Sequence, residues 1–170
     1  ELRNLEVMQF GGLLLDALEH VRPQLHFNGI QLHDRITDDE CWVNVDGPLI
    51  TRAIVNLLMN AIRHSSHGSS IIVCMSNDAD SHDVVCSIRD EGEGMTAAVL
   101  SDVLSHQQVV HHSDNTQPVI QRGLGMLIVQ TVVRSHHGQL DGVSAPGHGT
   151  TFWLRIPLVD PSRYFDLDIS

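Results

Sequence analysis

Lysine is absent from this 170-residue chain: all ten basic residues are arginine, set against 21 acidic ones for a net charge of −11. Nucleic acid and anionic membrane surfaces are therefore poor partners for the domain as a whole. Any phosphate it binds must be met by arginine, a metal or backbone amides. No apolar run approaches the ~20 residues that span a bilayer, and the opening residues do not resemble a signal peptide. The chain starts at Glu1 without a methionine, which points to a piece of something longer. No C-x-x-C pair occurs. Cys41, Cys74 and Cys86 are odd in number and scattered, and read as reduced, strand-borne and cytosolic. The histidines number twelve, but the doublets His111-His112 and His136-His137 lack the i, i+4 spacing of a helical metal pair. With 42% hydrophobic residues the chain can bury one full core, so one domain is expected.

The most legible stretch runs from Asp46 to Ser65. Asp46 suits an N-cap and Pro48 the first helical turn, where a missing N–H costs nothing. Leu49, Ile50, Ala53, Ile54, Leu57, Leu58, Ala61 and Ile62 recur with helical period and define one buried face. Arg52, Asn56, Asn60 and Arg63 fall in a narrow polar stripe beside it. Asparagine is a mediocre helix former, so two of them one turn apart ask for a reason. Two readings stand: a pair of satisfied boundary amides, or the wall of a polar pocket that offers amide oxygens to a metal and arginine to phosphate.

In chain order, a strand is expected near Val7–Phe10 and a helix from Gly12 to His26, bent or shortened by Pro23. Asn28-Gly29 reads as a turn, with strands at Ile30–Leu32 and Cys41–Val45. Past the striped helix, Ile71–Ser76 and Val84–Arg89 read as a hairpin. A short helix follows Met95 to Leu104. From Ser105 to Arg122 the period is lost, which at this length suggests a lid or binding loop. An apolar helix from Leu124 to His136, with Gly138 as its C-cap, precedes strands at Gln139–Val143 and Thr150–Pro157.

Two glycine-rich stretches frame possible chemistry. Strand Val84–Arg89 ends in D-E-G-E-G-M, residues 90–95, where Asp90 could accept from an exocyclic amine while the glycines let a planar ligand approach. A tight turn with an exposed aspartate is the plainer reading. In R-G-L-G-M-L-I-V, residues 122–129, glycines ahead of an apolar helix would leave amides free for phosphate oxygens. Plain helix capping by glycine is the alternative.

In this order the stretches resemble the ATP-binding catalytic domain of sensor histidine kinases, a group that includes gyrase, mismatch-repair and heat-shock chaperone ATPases. N-L-L-M-N-A-I-R-H-S is similar to its asparagine box, D-E-G-E-G-M and G-L-G-M-L-I-V to its two glycine boxes, and G-H-G-T-T-F-W-L-R-I-P to its closing strand. The resemblance implies that Asn60 coordinates magnesium, with Asn56 supporting metal or phosphate. It puts Arg63 near the phosphates and His64 along the nucleotide. It gives Asp90 the adenine amine, with Thr150 helping through water and Gly92 and Gly94 shaping the pocket. Arg122, Gly123, Leu124 and Gly125 would cradle phosphate. The chain departs from the family pattern at Gln121 and Arg122, where glycine and threonine are common, and in a lid without phenylalanine.

The expected fold is α/β: a two-layer sandwich with a mixed sheet of about five strands, three helices on one face and a long lid. Residues 10–158 would form the ATP-binding domain. Residues 1–9 would be a linker or the end of an upstream dimerisation helix, and 159–170 a tail or linker. The implied function is to bind Mg-ATP in the cytoplasm, free or as part of a membrane-anchored receptor. Its γ-phosphoryl group would pass to a histidine on the dimerisation module, and onward to a response-regulator receiver domain. Two rivals are a degenerate regulatory interaction module and an anti-sigma-factor-type serine kinase. The second expects a glutamate where Asn56 stands.

Overall fold

The computed structural model describes residues 4–105 and 120–165, and their side chains except those of residues 120–123. The expected lid, Ser105 to Arg122, lies almost wholly outside them. Strand β1 (Glu6–Gln9) leads into α1 (Phe10–Phe27), followed by β2 (Gln31–Ile36), β3 (Trp42–Val45) and α2 (Gly47–His64). The chain continues through β4 (Ser70–Asp78), β5 (Asp83–Asp90), α3 (Ala97–Leu104), α4 (Ile120–Ser135), β6 (Gln139–Ser144) and β7 (Thr150–Pro157).

A mixed five-stranded sheet runs in the order β2-β4-β5-β7-β6, with β2 and β4 parallel and the other pairs antiparallel; β1 and β3 form a separate antiparallel pair. Alternate residues of the three central strands are buried, among them Ile71, Val73, Val84, Ile88, Phe152, Leu154 and Ile156. That period of two marks a sheet covered on one face. The long helices α1, α2 and α4 supply the covering layer. The short α3 is the fourth helix of the described residues; it lies by β6 and α4, and none of its residues is fully buried.

Local sequence accounts for most element ends. The Asp46 carboxylate caps α2 by accepting from Leu49 N at 3.3 Å, and Pro48 sits in the first turn. Pro23 neither stops nor shortens α1, which runs one further turn to Phe27. The turn after it uses Gly29 at φ 61, where a Cβ would also strike the His67 ring at 2.2 Å.

Two expectations about α4 are corrected. It starts at Ile120 instead of Leu124, because Ile120, Gln121 and Arg122 already take helical backbone, the last two being good helix formers. Beyond its end the left-handed residue is His137, at φ 58, and not Gly138. Gly138 serves close approach instead, since a Cβ there would lie 2.4 Å from the Arg155 carbonyl oxygen. The tail folds back along β3: Val159 N donates to Trp42 O at 2.9 Å, and the Phe165 and Trp42 rings meet edge-on at 5.8 Å.

One buried histidine ties the two core helices. His136 is 5% exposed; its Nδ1 lies 2.7 Å from Val132 O, and its Nε2 lies 3.0 Å from Asp46 N. A carbonyl only accepts and an amide only donates, so the ring is neutral with its proton on Nδ1. The end of α4 is thereby pinned to the N-cap of α2. Replacing His136 by Phe fills the space but leaves the Asp46 amide unpaired, at a cost of roughly 1–3 kcal/mol. His136→Ala adds a cavity and should cost about 2–4 kcal/mol. Urea unfolding checks this; an unchanged midpoint in both variants would refute the clasp.

Candidate functional site

The site is assembled at the C-terminal end of β5, the middle strand of the sheet, where α2 crosses it. α1 and α4 cover the apolar face of α2, and its polar stripe borders that buried face. Arg52 and Arg63 on the stripe are exposed, while Asn56 and Asn60 are half-buried. Among the described residues Asn56 Nδ2 is a buried donor without a hydrogen-bond partner. An orphaned buried amide costs about 1–3 kcal/mol, so the reading of Asn56 and Asn60 as satisfied boundary amides does not hold at Asn56.

Asp90, the last residue of β5, is only 3% exposed, which removes the reading of an exposed turn aspartate. Its Oδ1 accepts from Gly92 N at 2.8 Å and from Thr150 N at 3.2 Å. No hydrogen bond engages Oδ2 among the described residues. Burial pushes this carboxyl above the ordinary aspartate value of 3.8, against the opposing pull of the Gly92 and Thr150 amides and of His64. The result is a fixed carboxylate with one oxygen held by the backbone and one available to a donor.

Glycines make that corner possible, because three backbone segments converge closer than a side chain allows. A Cβ on Gly92 would lie 2.3 Å from His64 O, at the end of α2. On Gly94, at φ 72, it would lie 1.9 Å from Ala145 O, and on Gly149, at φ 71, 2.2 Å from Asp90 O. The D-E-G-E-G loop is thus clamped between the last turn of α2 and the β6–β7 turn. Gly147 N donates to Glu93 O at 2.7 Å across the same junction. Glycine is the residue that permits both the positive φ and the contact.

The remaining expected residues divide. His64 ends α2 beside this loop, with Nδ1 3.4 Å from Glu93 Oε1, a partner the sequence did not suggest. Thr150 is buried and touches Asp90 through its amide, while its hydroxyl lies 2.8 Å from Ser144 Oγ. Gly123, Leu124 and Gly125 lie within the first two turns of α4 instead of ahead of it, and Arg122 shares that backbone. Leu124 is 56% exposed, and among the described residues nothing lies within 4 Å of where a Gly125 Cβ would stand. Sequence reasoning missed Ser144 and Gly149. The second has a visible signal, since G-H-G-T repeats the spaced glycines of residues 92–94; Ser144 has none.

The arrangement offers an acceptor in a closed corner and, along α2, amides and an arginine. It suits a ligand with an amine at one end and negative charge at the other. Comparison with known proteins agrees with that chemistry. Residues 45–160 match the family model described as histidine kinase-, DNA gyrase B- and HSP90-like ATPase. The chain is similar to the sensor protein KdpD of Clostridium acetobutylicum, 30% identical over 80% of this chain and 15% of that protein. It is likewise similar to the sensor histidine kinase WalK of Bacillus subtilis, 25% identical over 90% of this chain and 24% of that protein. The chain therefore spans less than a quarter of the length of either relative. Its fold is that of the mycobacterial sensor histidine kinase MprB, with a TM-score of 0.74 at 24% identity over 91% of this chain and 98% of that one. Full-length ShkA, solved in complex with AMPPNP, superposes with a TM-score of 0.75 at 21% identity, over 94% of this chain and 32% of that one. Since that family model covers more than half of its residues, the chain belongs to the histidine kinase-, DNA gyrase B- and HSP90-like ATPase family.

Proposed function

We propose that this chain is the catalytic domain of a two-component sensor histidine kinase. It binds Mg-ATP in the cytoplasm and donates the γ-phosphoryl group to a histidine on a separate dimerisation module, from which a response-regulator receiver domain is served. Residues 10–158 are the ATP-binding domain in this reading, flanked by residues 1–9 toward the dimerisation module and by a tail from 159. The observation that carries it is the buried Asp90, whose Oδ1 accepts from two amides while, among the described residues, no hydrogen bond engages Oδ2.

Each residue then has a role. Asp90 Oδ2 accepts from the adenine amine, and Gly92 and Gly94 bring the loop backbone against the base. His64 lines the nucleotide, Arg63 meets phosphate, and Arg122, Gly123, Leu124 and Gly125 border the phosphates. Asn60 is the metal ligand through its amide oxygen, and Asn56 supports it. The unpaired Asn56 Nδ2 fits that assignment, since a phosphate oxygen would give it an acceptor. Magnesium, when bound, neutralises phosphate charge in the transfer. The protein's own contribution is positioning, because imidazole is already nucleophilic and needs little from a base. Hydrolysis is different: water needs a base, and Asn56 cannot take a proton at neutral pH.

Three outcomes are expected. Asn60→Ala should weaken magnesium-dependent ATP binding about 10- to 100-fold, on the order of 1.5–3 kcal/mol for a contact to a charged group, with the fold retained. Calorimetric titration showing equal affinity in variant and parent would refute the role.

Asp90→Asn should lower ATP affinity at least about tenfold and erode discrimination against GTP, since its Nδ2 offers a donor where the carboxylate only accepts. Without ligand the same variant should melt no lower than the parent at pH 8. The native state favours the neutral form of this group, so the charge costs stability throughout the range above its raised pKa; acidification through the window above 3.8 relieves that cost. A melting temperature several degrees below the parent's would contradict the buried-charge account.

Incubated alone with γ-labelled ATP and magnesium, the chain should acquire no acid-labile label. The dimerisation module added in trans should become labelled. Stoichiometric label on this chain by itself would overturn the division of labour.

A further inference from the structure

Ser144 closes β6 directly opposite Thr150 on β7, so their side chains share the inner face of the sheet. Its hydroxyl makes three contacts. Met95 N lies 2.8 Å away, Gly149 O 3.0 Å and Thr150 Oγ1 2.8 Å. Met95 ends the D-E-G-E-G loop, and Gly149 is the glycine packed on the Asp90 backbone. One half-buried hydroxyl therefore joins the loop after β5 to the β6–β7 turn and the start of β7, beside the Asp90 corner.

The protons of this cluster can be assigned from chemistry alone. An amide only donates, so Ser144 Oγ accepts from Met95. A carbonyl only accepts, so the single Ser144 proton goes to Gly149 O. The Thr150 hydroxyl must then donate to Ser144 Oγ, whose second lone pair is the one still open. Thr150 Oγ1 is left with lone pairs only. Beside it, Asp90 Oδ1 is filled by two amides and Oδ2 can only accept.

We infer that Ser144 is a positioning and specificity residue: it locks the Thr150 hydroxyl as an acceptor, so that this corner admits a 6-amino purine and rejects a 6-oxo purine. This rests on the proposed nucleotide reading and deepens it. A carboxylate oxygen and a hydroxyl lone pair together match the two hydrogens of an exocyclic amine. A 6-oxo group would meet acceptors alone, since the proton that could greet it is held by Ser144. Freed from Ser144, the Thr150 hydroxyl can rotate and donate to that oxygen.

The test compares ATP with inosine triphosphate, which carries a 6-oxo group and no 2-amino group, by calorimetric titration of the full chain with magnesium. The parent should prefer ATP, and Ser144→Ala should reduce that preference about three- to tenfold, the worth of one redirected hydrogen bond. Ser144→Thr, which keeps the hydroxyl, should restore it. In a Thr150→Val background Ser144→Ala should leave the ratio unchanged, because no hydroxyl remains to redirect. Ser144→Cys, a weak donor and acceptor, should give an intermediate ratio and provides the measurement if the alanine variant does not fold. Equal weakening of both nucleotides with an unchanged ratio would mean that Ser144 is merely structural, and would overturn the inference alone. A parent that binds neither nucleotide, or whose preference survives Asp90→Asn, would overturn the nucleotide reading together with it.

Discussion

Helix α2 is covered by α1 on one flank and α4 on another, and lies on β5 beneath. That burial is the constraint from which the rest follows. Ile50, Ala53, Ile54, Leu57 and Leu58 are each at most 1% exposed, so the rotation of the helix about its axis is fixed by its apolar arc. Asp46 fixes its start by capping with its carboxylate and by donating its amide to His136. With rotation and start both set, the direction of Asn56 and Asn60 is no longer free. Their stripe is held in one orientation by the core.

At the other end of α2 the packing problem is one of backbone approach. The last turn, the loop after β5 and the β6–β7 turn meet around a carboxylate that is nearly out of solvent. Side chains cannot fill that junction, because at Gly92, Gly94 and Gly149 a single Cβ would fall within 2.3 Å of a carbonyl oxygen. The amides brought in by this approach satisfy Asp90. A charge buried there without them would be far more costly. The glycines thus hold the buried carboxylate through geometry and electrostatics at once.

What the sequence made legible tracks how local each cause was. The span of α2, its cap and its stripe were readable because period, capping residue and first-turn proline lie within one segment. The β4–β5 hairpin and the aspartate at its end were readable for the same reason. The start of α4 was misplaced because Gly123 and Gly125 look like breakers, yet the helix tolerates both near its N-terminus. His136 read as half of a histidine doublet and proved to be a core clasp, since its partner Asp46 lies 90 residues away. Ser144 was invisible: its contact to Met95 spans 49 residues and leaves no pattern in either segment. The closing G-H-G-T gave the turn, but not that its second glycine rests on the Asp90 backbone.

The charge distribution sets the last constraint. A chain with net charge −11 and no lysine repels a triphosphate as a whole, so binding depends on local arrangement. The carboxylates Asp90, Glu91 and Glu93 are gathered at the end of β5 and on the loop after it. Arg63 stands on α2 one turn beyond Asn60. In the proposed reading, with Arg63 near the end of the stripe, most of the compensation for phosphate would fall to a divalent cation and to backbone amides. Both act over a few ångströms and are indifferent to the net charge of the chain. The acidic surface then discourages other polyanions, while the short-range contacts decide which one is admitted.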